Sequence, residues 1–161
     1  MTFLARTPVI LTSLALVILS GAGFAVFNDA LGGSLLDQMS DPEAARAQVA
    51  TMTASQRSAH AWVTALIDTV FPLANGAVLA GLALRFFGRY GKFAALPALL
   101  FVITDLTENL TQLLALTGLA DALDAKAWVT PLKYNLFLVA AVIALVGLVI
   151  GVVGFVRRRR A

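Results

Sequence analysis

The chain has no cysteine and a single histidine, His60. The first absence excludes disulfides, thiolate zinc sites, iron–sulfur clusters and thiol nucleophiles. The second excludes bis-histidine haem and multi-histidine metal sites. No metal and no cofactor is therefore expected. Charge is scarce too. Asp, Glu, Lys and Arg make up 13% of the 161 residues, about half the share in a soluble domain. No Gly-rich phosphate loop, HExxH or GxSxG motif occurs, and Ser13, inside an apolar run, has no base placed for it.

What is abundant is apolar. Hydrophobic residues are 60% of the chain and the mean hydropathy is +0.88, the composition of a membrane protein. A spanning helix needs about 20 apolar residues to cross roughly 30 Å of hydrocarbon. Four stretches qualify, at 8–27, 61–87, 93–116 and 131–156. None alternates apolar and polar residues as a barrel strand would. The expected fold is an all-α, antiparallel four-span bundle forming one integral membrane domain over 1–161.

Basic residues orient it. Arg6, Arg85, Arg89, Lys92, Arg157, Arg158, Arg159 and Arg160 fall on one side, eight against the three of Arg46, Arg57 and Lys126 on the other. Lys133 lies just inside the fourth span. Both termini are thus expected in the cytoplasm, in a bacterial inner membrane whose far side is periplasmic. Met1 to Arg6 and the small-x-small Gly23-Phe24-Ala25 also allow a cleaved signal peptide. An apolar run of 20 residues is long for that, so a retained first span is the reading taken.

Residues 28–60 form the longest extramembrane loop, with an expected turn at Leu31-Gly32-Gly33. Asp41-Pro42-Glu43 starts a short periplasmic helix over 44–52. Thr53-Ala54-Ser55-Gln56 is a capping box, which starts the second long helix well before its span. Pro8 suits a first helical position behind Thr7 as cap. Gly118 and residues 121–126 make the second periplasmic loop.

The informative residues are polar ones inside apolar runs. His60, Thr64, Asp68 and Pro72 recur every four residues, with Asn75 three further on, so they share one slowly drifting helix face. Asp105, Glu108, Asn109 and Gln112 share a face of the third span, beside Thr104 and Thr111. A charge at the bilayer centre costs at least about 2.5–3.5 kcal/mol, so these acids face protein or water, not lipid. We expect one cluster of Asp68, Asn75, Asp105, Glu108, Asn109, Gln112 and Lys133, the lysine leaning inward. Two acids in a dry site do not both ionise readily, so at least one carries a proton. Pro72 frees a carbonyl near residue 68, and with Asn75 and Gly76 following, either a local opening or an ordinary kink results.

Ala140, Ala144, Gly147, Gly151 and Gly154 form a small-residue stripe containing a GxxxG step, a packing surface with Ala77 and Gly81 as one partner face. Its partner, in this chain or in another copy, is left open. His60, Trp62 and Trp128 are expected at the periplasmic interface, the tryptophans as aromatic anchors. Arg157 to Arg160 read as a stop-transfer anchor touching anionic lipid rather than nucleic acid.

The set Leu66-Ile67-Asp68-x-x-Phe71-Pro72, Thr104-Asp105-Leu106-Thr107-Glu108-Asn109 and Thr130-Pro131-Leu132-Lys133 resembles an uncharacterised family of small four-span bacterial membrane proteins. The resemblance covers about 28–150. It implies a four-span bundle with those polar groups facing inward, and no substrate.

The leading functional expectation is a non-enzymatic inner-membrane protein. Its periplasm-facing carboxylate and amide cluster would bind a small ligand, a lipid headgroup or a proton, or the chain would serve as accessory subunit of a larger membrane complex; a homo-oligomer is the other partner expected. The alternative is an intramembrane lipid- or isoprenoid-modifying enzyme, with Asp68 and Glu108 as acid and base and Lys133 steering an anionic headgroup.

Overall fold

A computed structural model describes residues 3–27, 31 and 34–160. Among them every regular element is helical. Four helices are long and apolar enough to cross a membrane. They are α1 (Thr7–Phe27), α3 (Ala54–Phe86), α5 (Leu96–Thr117) and α6 (Lys126–Arg160). Two shorter helices lie between them: α2 (Pro42–Thr51), after α1, and the single turn α4 (Gly91–Ala94) ahead of α5. The expected turn at Leu31-Gly32-Gly33 lies largely outside the described residues.

Local chemistry sets these boundaries. Asp41 caps α2 by accepting from the Glu43 N–H at 3.0 Å, with Pro42 at the first helical position. The capping box closes on α3: Thr53 Oγ1 accepts from Gln56 N at 3.3 Å, and Gln56 Oε1 accepts from Thr53 N at 2.9 Å. Gly118 ends α5 at φ +72°, a left-handed cap in which the Leu119 N–H returns to Leu114 O at 3.0 Å. Thr7 is the first residue of α1 rather than its cap, and its hydroxyl accepts from Arg85 Nη1 at 2.8 Å.

One expected boundary moves, and one open alternative is decided. α6 begins at Lys126, not Pro131, so Lys126 belongs to the helix and not to the loop before it. Pro131 is the sixth residue of α6, past the four N–H groups a helix start leaves unpartnered, and it forfeits one bond, that to the Ala127 carbonyl. α3 runs through Pro72 for 33 residues without interruption, so no opening forms at Asn75-Gly76.

α3 is central. It packs against α1, α5 and α6, and α5 packs against α6. The small-residue stripe of α6 meets the end of α3: a Cβ on Gly147 would lie 3.1 Å from the Phe87 ring, and one on Gly151 would lie 2.4 Å from Phe86. A Cβ on Gly154 would meet only Arg158 of its own helix, at 3.8 Å. Gly81 does not face this stripe. Its Cβ position lies 2.5 Å from Leu4 O, so it seats the chain leading into α1.

The interior is layered. Toward the α3–α4 turn it is apolar and small, with Leu79, Ala80, Ala83, Ala95, Ala98, Ala140 and Ala144. Toward α2 it is apolar again, with Leu36, Ala45, Val49, Met52, Leu116 and Leu123. Polar side chains fill the layer between. The outside shows the reverse: Leu138, Leu145 and Val152 of α6 are each more than 60% exposed.

Candidate functional site

α5 supplies the centre of the polar layer. Asp105, Glu108, Asn109 and Gln112 are all buried, as the three-and-four spacing requires of one helix face. Glu108 is fully enclosed. Its Oε1 accepts from the Lys126 ammonium and from Thr130 Oγ1 at 2.5 Å, and its Oε2 pairs with Lys133 Nζ at 2.6 Å. Lys126, Thr130 and Lys133 are themselves buried, spaced four and three along α6. The Lys133 ammonium also donates to Asp37 Oδ1. One carboxylate thus holds two ammonium groups, an arrangement that offsets the desolvation of all three.

Asp37 arrives from outside the long helices. It sits in a short 3-10 turn, Leu36–Gln38. Two contacts hold that turn. The Leu36 side chain is fully buried, and the Leu36 N–H donates to His60 Nε2 at 3.4 Å. His60 is therefore 1% exposed and supports the turn, instead of lying on a helix surface as expected.

Asp68 of α3, Asp105 of α5 and Asp37 converge: a carboxylate oxygen from each lies within 4.8 Å of the other two. Asp37 has Lys133 as partner. Neither Asp68 nor Asp105 has a hydrogen bond or ion pair on its carboxylate among the described residues, although the two are 5% and 4% exposed, and Asp105 Oδ1 is wholly enclosed. The layer holds four carboxylates, Asp37, Asp68, Asp105 and Glu108, against two ammonium groups. Full ionisation would leave an excess of two negative charges in a low-dielectric interior. Three converging carboxylate oxygens are also a donor set of the kind hard cations take.

The amides have separate duties. Pro72 lacks the N–H that would bond the Asp68 carbonyl, and Asn109 Nδ2 donates to that carbonyl instead, at 2.7 Å. Gln112 is fully buried with both amide heteroatoms unpartnered. Asn75 is half-buried and makes no hydrogen bond to the cluster. Thr111 bonds back to Glu108 O at 2.8 Å, and half-buried Thr104 bonds back to Leu100 O at 2.8 Å.

The structure therefore brings Asp68, Asp105, Glu108, Asn109 and Lys133 together, and leaves Asn75 at the edge. Asp37, Lys126, Thr130 and His60 join the site without having been expected there. Lys126, Thr130 and Lys133 carry a legible signal, a four-three spacing that a helix begun at Pro131 hides. Asp37 carries none, because its place depends on how a loop folds back.

Trp62 and Trp128 are 64% and 81% exposed. Arg157 to Arg160 close α6 as its exposed last turn. Outside the long helices, Arg46 of α2 donates to Asp121 Oδ2 at 2.6 Å and Asp124 Oδ1 at 2.7 Å. That bond, with the Leu123 N–H, holds the Asp121 carboxyl below its ordinary value, and the two acids raise Arg46.

No family model matches the chain, and no curated protein or solved structure is significantly similar to it.

Proposed function

We propose that the chain is an antiparallel four-span protein of a bacterial inner membrane with both termini in the cytoplasm. On this reading α2 lies on the periplasmic side, and the buried acid cluster reversibly binds a small cation, the proton included. The function is non-enzymatic. The observation that carries the reading is the pair of buried carboxylates, Asp68 and Asp105, left without a partner beside Asp37. Carboxylates removed from water demand a counter-charge, and both lysines are already engaged by Glu108.

The same balance argues against an anionic lipid headgroup in this site, since an anion would add to an excess of negative charge. It argues equally against Lys133 steering such a headgroup, because its ammonium is held between Asp37 and Glu108.

The test is cation titration of the purified protein in neutral detergent and weak buffer at pH 7. Magnesium, calcium or manganese should release protons and raise the unfolding temperature, and the Asp68→Asn/Asp105→Asn double variant should do neither. A proton-only site would show unfolding that responds to pH and not to metal. Wild-type stability indifferent to both would overturn the proposal.

A further inference from the structure

A second site lies apart from the acid cluster. Between the first turns of α3 and the last turns of α5 runs an open groove of about 750 Å³. Its floor is small because Ala54, Ser58, Ala61 and Ala65 repeat along one face of α3 at steps of four, three and four. Leu113 and Trp62 flank it. Arg57 is the one ionisable residue in the lining, and no carboxylate is among the rest. Its Nη2 donates to Val49 O at 3.0 Å, while its Nε–H is enclosed with no partner. The groove is thus apolar along most of its length and cationic at one end.

We propose that this groove holds an anionic glycerophospholipid of the surrounding bilayer. Its phosphate would sit on the Arg57 guanidinium and an acyl chain along Ala61, Ala65 and Leu113. Charge complementarity selects this occupant: a guanidinium matches a phosphate, and the apolar remainder matches a hydrocarbon tail. Trp62, 64% exposed beside the groove, belongs at the headgroup level where aromatic anchors reside. The site differs from the exposed arginines closing α6, which offer charge without a groove.

Trp62 makes the proposal measurable. Trp128→Phe leaves it as the single tryptophan of the chain. That protein is placed in phosphatidylcholine vesicles carrying a minor fraction of acyl-brominated phosphatidylglycerol or acyl-brominated phosphatidylcholine. Bromine quenches a nearby indole. One basic residue enriches an anionic lipid about fivefold, so Trp62 should be quenched several times more strongly by the brominated phosphatidylglycerol. Arg57→Gln should remove that preference and Arg57→Lys should keep most of it. Ala61→Leu, which fills the groove without touching Arg57, should lower quenching by both lipids and carries the test even where Arg57→Gln fails to fold. Equal quenching by the two lipids, or a preference that survives Arg57→Gln, would overturn the proposal. So would loss of all quenching on dimerisation, which would assign the groove to a second copy.

Discussion

Glu108 is paired with both Lys126 and Lys133, and all three side chains are buried. Glu108→Gln should therefore cost about 3–5 kcal/mol, the range for breaking a buried pair by removing one partner. Combining it with Lys126→Met should cost less than the sum of the single changes, since the second removes a charge that the first strands. Unfolding in neutral detergent measures both, and strict additivity would show the groups to be independent. Asn109 supports a sharper case. Asn109→Leu should cost about 1–3 kcal/mol by leaving the Asp68 carbonyl bare. In a Pro72→Ala background the alanine N–H bonds that carbonyl along the helix, so the same substitution should cost distinctly less. An equal cost in both backgrounds would separate Asn109 from the proline. This pairing was half legible: Pro72 announces a free carbonyl near residue 68, while the identity of the donor required two helices to be packed. Asp37 was illegible for the same reason, since its turn is fixed by His60 and Leu36 rather than by anything local.

Among elements, α2 and the α5–α6 connection are joined through Arg46, whose guanidinium spans Glu43, Asp121 and Asp124. The Asp121 carboxyl is depressed below its ordinary 3.8. A depressed acid contributes fully above that ordinary value, and its contribution disappears as pH falls through the lowered one. Amide hydrogen exchange in α2 should therefore stay constant from pH 7 to 5, after correction for intrinsic rates, and rise below 3.8. Arg46→Gln should show the faster exchange already at neutral pH. An unchanged profile would mean that Ala45 and Val49 alone hold the helix. The α6 stripe offers a graded comparison. Gly151→Leu drives a side chain into the Phe86 ring and should destabilise, whereas Gly154→Leu should be nearly neutral. The helix starts at Asp41 and Thr53 were readable because each rests on residues within four positions. The α6 start was not, because Pro131 imitates a helix N-terminus five residues late.

The described residues enclose a polar layer between two apolar ones and turn apolar side chains outward, and this arrangement unites fold and proposed function. Lipid leaves the outer faces of α1 and α6 without cost and makes partnerless charge inside expensive. Four apolar helices were legible from composition and run length. On the proposed topology, whose cytoplasmic termini are read from the basic-residue counts, a periplasm-dependent reporter fused after Ala161 should be inactive. The central claim is that the excess negative charge around Asp68 and Asp105 is balanced by exchangeable cations. Infrared spectroscopy of chelator-treated protein at neutral pH tests it most directly. The account predicts a protonated-carboxyl C=O stretch that shrinks in Asp105→Asn and in Asp68→Asn, and that fades when a bound divalent cation replaces the proton. A spectrum without any protonated-carboxyl band at neutral pH, before and after chelation, would contradict it.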